Sequence, residues 1–129
     1  MQLAESGEMY LETVLILSGQ QACVRAVDVG EYMGYSKPSV SRAMGLLREG
    51  GFIRTDEDGF LSLTTLGREI AEKIYERHRV LTEVLVSLGI DEQTALQDAC
   101  RIEHDISDET FQAIRKYRDE NAKKSKDGT

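Results

Sequence analysis

Apolar residues recur at helical spacing near the start of the chain and predict two short helices. The segment EMYLETVLIL, residues 8–17, predicts the first helix, which ends at Gly19. Residues 27–33 predict a second helix, which Gly34 closes. A tight turn that contains glycine therefore follows the second helix.

A third helix follows that turn directly. Ser36 is a favourable N-cap residue, and Pro38 lies in the first turn, where its missing N–H costs nothing. Gly50 and Gly51 end the helix. One apolar stripe runs along it, at Val40, Met44 and Leu47. Two helices joined by a turn of about three residues are typical of a helix-turn-helix.

Two short strand-like runs come next, in the segment FIRTDEDGFLSLT. They cover residues 52–53 and 60–63, and Asp58-Gly59 between them is a strong signal for a hairpin turn. A hairpin directly after a helix-turn-helix forms a wing. The chain up to Thr64 therefore predicts a winged helix-turn-helix.

Helical patterns dominate the rest of the chain, so the fold is expected to be mainly α. Thr64 or Thr65 caps a long helix over residues 66–88, and Asp91 caps the next, which carries the stretch CRIEH. Ser107 caps a last helix. We expect three segments: a winged domain at residues 1–64, a helical domain at 65–121 and a disordered tail at 122–129.

Charge and composition narrow the function classes. The 129 residues carry a formal net charge of −7, which taken alone argues against nucleic acid. The segment 24–54 is locally +2, however, and salt screens the acidic remainder beyond about 10 Å. The sequence shows neither a basic leader followed by an apolar core nor a long apolar run. We therefore expect no signal peptide and no membrane span. Two cysteines predict no disulfide framework, so we expect a reducing cytoplasm.

The third helix supplies the candidate DNA contacts, because the second helix of such a pair enters the major groove through its N-terminal residues. Arg42 is suited to a bidentate contact with guanine. The acidic wing tip, residues 56–58, is expected to contribute little contact. A helix-turn-helix also occurs as plain packing, and the wing and the local basic balance favour DNA binding over that alternative. The candidate residues are Ser36, Lys37, Pro38, Ser39, Ser41 and Arg42.

The stretch CRIEH, residues 100–104, raises the possibility of a metal site. Spacings of three and four place Cys100, Glu103 and His104 on one helix face, although a single turn of this kind is a weak signal. His78 lies on the preceding long helix, and Met9 and Glu12 lie three residues apart on the first helix. The ordinary alternatives are core packing for Met9, solvent for Glu12 and a surface position for His78.

Taken together, these motifs resemble the DtxR/MntR family of metal-dependent transcriptional repressors. The likeness runs from Gly7 to Tyr117 and rests on EMYLET, SKPSVSRAMGLL, the wing, LTTLGREIAEKIYERHRVL and DACRIEHDISDE in that order. It implies an N-terminal winged helix-turn-helix and a C-terminal helical dimerisation domain. Its iron-type members imply metal ligands at Met9, Cys100, Glu103 and His104. Its manganese-type members imply Glu12 and His78 as well.

The chain departs from the iron type in three places. Thr82 and Leu96 stand where that type has an acid and a histidine of its secondary site. We also expect a short form without the SH3-like domain. A second metal between Glu12, His78 and Glu103, as in the manganese type, stays a hypothesis.

The resemblance implies a repressor of metal-homeostasis genes that is a homodimer and binds a double-stranded DNA operator. Sulfur ligands disfavour manganese and suit Fe(II), with Co(II), Ni(II) or Zn(II) accepted in vitro. We therefore expect Fe(II), with Mn(II) as the alternative. Metal is expected to tie the two lobes together and fix the spacing of the recognition helices. The expected dimer surface includes Ile106, Phe111 and Ile114.

Two other functions stay open at this point. A metal-independent winged-helix regulator of the MarR kind would use Cys100 as a redox switch, but no second cysteine lies near it in sequence. A small metalloenzyme would use the thiolate, carboxylate and imidazole to activate water. No further acid–base pair is evident and the wing would be unexplained, so we expect no enzyme.

Overall fold

The computed structural model describes residues 5–127, and side-chain surroundings for residues 6–122. Within that range the chain is mainly helical, as predicted. No helix of the described part is long and apolar enough to cross a bilayer. The elements are α1 (Glu5–Gln20), α2 (Ala26–Met33), α3 (Lys37–Glu49), β1 (Ile53–Thr55), β2 (Leu61–Leu63), α4 (Thr65–Ser87), α5 (Glu92–Ile102) and α6 (Asp108–Asp127).

The chain divides into two compact units between Lys73 and Ile74, inside α4. This division lies later than the Thr64 boundary expected from the sequence. Its cause is the first part of α4, which packs with the winged unit: Ala71 is fully buried there and Ile70 is partly buried. The winged unit therefore includes the start of the long helix.

The turn between α2 and α3 forms as the sequence predicts. Gly34 adopts the left-handed conformation, with φ of 74°, and its N–H donates to the carbonyl of Gly30. The Ser36 hydroxyl accepts a hydrogen bond from the Ser39 N–H and caps α3. These two local interactions fix where the recognition helix begins.

One hydrophobic core holds the winged unit together. The predicted stripe of α3 is buried, and α1 contributes Leu11 and Val14, both with no exposed surface. Since α1 packs against α2 and α3, the position of α1 and that of the recognition helix are linked. The buried members of the stripe are Val40, Met44 and Leu47.

The wing is a two-stranded antiparallel hairpin, and each strand begins one residue later than the predicted run. β1 pairs with β2 so that Ile53 lies opposite Leu63. The Asp56 carboxylate accepts hydrogen bonds from the N–H groups of Asp58 and Phe60, each at 2.9 Å. One of the three acids at the wing tip therefore serves the turn itself.

Thr64 joins the base of the hairpin to the start of α4. Its hydroxyl accepts a hydrogen bond from the Gly67 N–H at 3.1 Å and donates one to the Gly51 carbonyl at 2.6 Å. Of the two predicted caps, the structure therefore uses Thr64. The close approach requires glycine at position 67, because a Cβ there would lie 2.0 Å from the carbonyl oxygen of Phe52.

In the C-terminal unit, the predicted caps Asp91 and Ser107 begin α5 and α6. The backbone of residues 122–127 continues α6. The disordered tail expected from residue 122 stays a prediction. Lysine and alanine are good helix formers, and no glycine or proline interrupts the helix before Gly128. Residues 128–129 lie outside the described part.

We predict that Gly67→Ala lowers the free energy of unfolding by about 3 kcal/mol, because the new methyl group meets backbone that cannot move aside. Gly45→Ala in α3 is the matched control. A Cβ at Gly45 meets nothing within 4 Å, so helix propensity should raise stability by about 0.5–1 kcal/mol. Urea unfolding measures both, and equal effects would contradict the close packing at Gly67.

Candidate metal centre and nucleic-acid interface

The stretch CRIEH is not helical throughout, and this part of the prediction is wrong. Helix α5 ends at Ile102, and Glu103 is its C-cap. Glu103 keeps helical dihedral angles, and its N–H donates to the Ala99 carbonyl at 2.9 Å, whereas His104 lies in the following turn. Residues 103–106 form the turn that connects α5 to α6.

The carboxylate of Glu103 lies between two imidazoles. Its Oε2 atom is 2.8 Å from Nδ1 of His78, whose N–H donates to it. Its Oε1 atom is 3.3 Å from Nε2 of His104. The Glu103 side chain has no exposed surface and that of His104 only 1%. The fold thus brings together three of the six predicted metal ligands.

A fully buried carboxylate is costly unless positive charge or hydrogen bonds compensate it. Within the described part of the chain, Oε1 of Glu103 makes no hydrogen bond, although Nε2 of His104 lies 3.3 Å from it. Two imidazoles and a buried carboxylate therefore fit the donor set of a divalent metal. The match is one of donor type, because no group of three or more His, Cys, Asp or Glu side chains among residues 6–122 is placed so that it could hold a metal ion.

The remaining predicted ligand of this unit is Cys100, which is half-buried near the end of α5. Thr82 and Leu96, the two residues that depart from the iron type, lie on α4 and α5. The Thr82 hydroxyl donates to the His78 carbonyl at 2.7 Å within α4. Leu96 is 41% exposed on α5. Neither residue supplies the donor that the iron-type secondary site uses.

Met9 and Glu12 belong to the winged unit, where both lie half-buried on α1. One carboxylate oxygen of Glu12, Oε2, is shielded from solvent. The Thr13 hydroxyl donates to the Met9 carbonyl at 2.9 Å within the helix. The solvent position considered for Glu12 is therefore incorrect, and the roles of both residues toward metal stay predictions.

Arg77 is a buried residue that the sequence analysis did not single out. Its guanidinium donates to the carbonyls of Glu103 and Ile106, at 3.0 and 3.1 Å, and pairs with the Asp108 carboxylate. It therefore holds the turn that carries Glu103 and His104. The signal for its burial was its spacing, three residues from both Ile74 and Val80 on the buried stripe of α4.

The expected dimer surface needs one correction. Phe111 is only 2% exposed and packs inside the protomer, with its ring 5.5 Å from the guanidinium carbon of Arg77. It is thus a core residue rather than part of an interface. Ile106 and Ile114 are half-buried, and their place in a dimer stays a prediction.

All six candidate DNA-contact residues are exposed at the start of α3. The Ser36 hydroxyl also donates to the Ser39 hydroxyl at 3.0 Å, so this pair stabilises the helix start as well. Arg42 forms no ion pair with any residue that the structure describes. The arrangement leaves its guanidinium available for a base or a phosphate.

Two protein-family models match successive parts of the chain. Residues 2–61 match the family model "Iron dependent repressor, N-terminal DNA binding domain". Residues 64–127 match "Iron dependent repressor, metal binding and dimerisation domain". The chain belongs to the DtxR/MntR family of metal-dependent transcriptional repressors. Because this family consists of DNA-binding regulators, the metalloenzyme alternative is excluded.

The chain spans different shares of the individual relatives that it matches. It is 31% identical to the transcriptional regulator MntR of Escherichia coli, over 84% of this chain and 70% of that protein. It is 30% identical to the diphtheria toxin repressor of Corynebacterium diphtheriae, over 83% of this chain and 48% of that protein. The structure of the metal-dependent transcriptional regulator MtsR superimposes with a TM-score of 0.82 at 27% identity, covering 88% of this chain and 53% of that one. The chain spans about half of the last two proteins.

We predict that Arg77→Lys lowers the free energy of unfolding by about 2–3 kcal/mol. Lysine keeps the charge but lacks the planar fork, so a buried carbonyl loses its donor. The control is Arg79→Lys, an exposed neighbour whose change should stay within about 0.5 kcal/mol. Denaturant titration of both variants measures this, and equal losses would show that the contacts of Arg77 contribute nothing specific.

Proposed function

We propose that this protein is an Fe(II)-responsive repressor that binds operator DNA as a homodimer in the cytoplasm and controls metal-homeostasis genes. The observation that carries the metal-sensing part is the buried Glu103 carboxylate held between His78 and His104. It lies in the segment that matches a metal-binding domain. The exposed start of α3 supports the DNA-binding part.

The proposed ligands are Met9, Cys100, Glu103 and His104, with His78 and Glu12 available for a second metal. A bound divalent cation would supply positive charge beside the Glu103 carboxylate. His78 and His104 would offer neutral imidazole nitrogen, and Cys100 a thiolate. Met9 and Glu12 lie on α1, and the other proposed ligands lie in the C-terminal unit.

The choice of Fe(II) over Mn(II) rests on sulfur. Mn(II) prefers oxygen ligands, whereas a thiolate and a thioether suit Fe(II). The solved neighbours include a manganese-dependent transcriptional repressor, whereas both matching family models are described as iron-dependent repressors. Mn(II) is therefore the alternative, and Co(II), Ni(II) or Zn(II) are expected to bind in vitro.

A route from α1 to the recognition helix exists inside the winged unit. Tyr10, next to Met9, packs edge-on against Tyr35, with ring centroids 5.9 Å apart. Burial, and then the neighbouring Tyr35, raise the pKa of Tyr10, as expected for a phenol enclosed by the core. Tyr35 directly precedes the cap of α3. A fixed α1 thus fixes the start of the recognition helix.

In a dimer, the two recognition helices must match half-sites about one helical turn of DNA apart, or a multiple of that distance. We infer that Met9 and Glu12 on α1 fix this spacing when they share a metal with the helical domain. Metal that binds only the correctly spaced form shifts the population toward it. DNA affinity then follows the metal concentration.

We predict that Fe(II) binds the chelator-stripped protein more tightly than Mn(II) under anaerobic conditions. At a free Fe(II) concentration of about 100 times Kd, the free energy of unfolding should rise by about 2.7 kcal/mol. Cys100→Ala should weaken Fe(II) binding more than Mn(II) binding, because it removes the thiolate. Calorimetric titration and thermal unfolding measure both effects.

Two variants serve as controls for that titration. Glu103→Gln should abolish the response to both metals, whereas Glu120→Gln, an exposed change on α6, should leave it intact. Tighter Mn(II) binding by the unaltered protein would make Mn(II) the regulator. No binding of either metal would overturn the proposed metal centre.

We predict that Arg42→Ala weakens binding to the preferred operator by about 1–3 kcal/mol and leaves metal affinity unchanged. The operator is first selected from a random duplex library with the metal-loaded protein. Competition with duplexes altered at single positions then shows where specificity has relaxed. Unaltered discrimination at every position would remove Arg42 from base recognition.

A further inference from the structure

A shallow cleft of about 650 Å³ lies in the winged unit, outside the candidate recognition residues. It is bounded by the end of α3, strand β1 and the start of α4. Arg48 and Arg54 line it, together with the hydroxyl-bearing Thr55 and Thr65. None of the described residues that line the cleft is acidic. The cleft therefore presents positive charge and hydrogen-bond donors to solvent.

Both arginines of the cleft carry positive charge that no ion pair among the described residues neutralises. Both are exposed, and neither pairs with an acid within the described part of the chain. The protein has 23 acidic against 16 basic side chains, so acids are plentiful. Five arginines of α4 to α6 lie in ion pairs, namely Arg68, Arg77, Arg101, Arg115 and Arg118. Two unneutralised guanidinium groups in one cleft match the chemistry of an external anion.

Arg48 also continues the candidate DNA surface along α3. It lies seven residues after Ser41, which is two helical turns, so both side chains leave the same side of the helix. The helix rises by roughly 10 Å between them. An anion bound beside Arg48 would therefore lie on the same side of α3 as Ser41, one of the candidate DNA contacts.

The acidic wing tip does not cancel this charge in full. The Asp56 carboxylate accepts hydrogen bonds from the N–H groups of Asp58 and Phe60 inside the turn. Arg54, by contrast, lies on β1 directly beside the cleft. The basic part of the wing is thus its base and not its tip.

We propose that Arg48 and Arg54 clamp a backbone phosphate of bound DNA in this cleft. This inference rests on the proposed DNA binding and adds a contact that positions the duplex without reading its sequence. It assigns the contribution of the wing to its base. Loss of the clamp weakens binding to all duplexes alike and leaves the metal response unaltered.

The test uses the metal-loaded full chain and a mixed-sequence duplex of about 30 base pairs, with affinity measured from about 50 to 200 mM salt. The double variant Arg48→Ala/Arg54→Ala should reduce the slope of log affinity against log salt by about 0.9 for the lost phosphate. Over this range the affinity of the variant should then fall about 3.5-fold less than that of the unaltered protein. The conservative double variant Arg48→Lys/Arg54→Lys should keep most of the slope, because it keeps the charge.

The matched control is Arg101→Ala/Lys116→Ala, which removes two exposed positive charges from the C-terminal unit. An unaltered slope in this control, with a reduced slope in the cleft variant, supports the clamp. Equal slopes in all variants, while the unaltered protein binds DNA, would overturn the clamp and leave the proposed function standing. Stabilisation of the protein by inorganic phosphate without any change in slope would assign the cleft to a free anion and also overturn it. Failure of the unaltered, metal-loaded protein to bind any duplex would overturn the proposed function itself.

Discussion

The burial of one carboxylate organises the C-terminal unit. Glu103 has no exposed surface, and its two oxygens face imidazoles from α4 and from the turn after α5. A negative charge in such a place is tolerated only where its surroundings are built for it. The Arg77 guanidinium brings a positive charge to the same turn, where it donates hydrogen bonds to the carbonyls of Glu103 and Ile106. The ends of α5 and α6 are thereby held against α4.

Much of the winged unit was predictable because local chemistry decides it. Ser36, Gly34 and Thr64 act through their own dihedral angles or hydroxyls over a few residues, and such interactions can be recognised in a sequence. The stripe on α3 is equally local. The metal-ligand candidates were recognised by resemblance to a family that the comparisons establish, and their roles stay predictions.

The features that the sequence analysis missed or placed wrongly have a common physical origin in tertiary contacts. The burial of Arg77 and Phe111 depends on a guanidinium placed over a ring and against carbonyls 26 and 29 residues away along the chain. Spacing within one helix gives no measure of such partners. The end of α5 at Ile102 was missed for the same reason, since Arg77 holds the turn that follows.

The hydroxyl of Thr64 has a consequence for how this protein can change over time. It closes the hairpin at its base by bonding Gly51 on one side and Gly67 on the other. Residues beyond that closure can be lengthened at a small cost in loop entropy, while the core beneath stays intact. The wing can therefore diversify independently of the metal centre, and regulators with one sensing chemistry can acquire different preferences for their DNA targets.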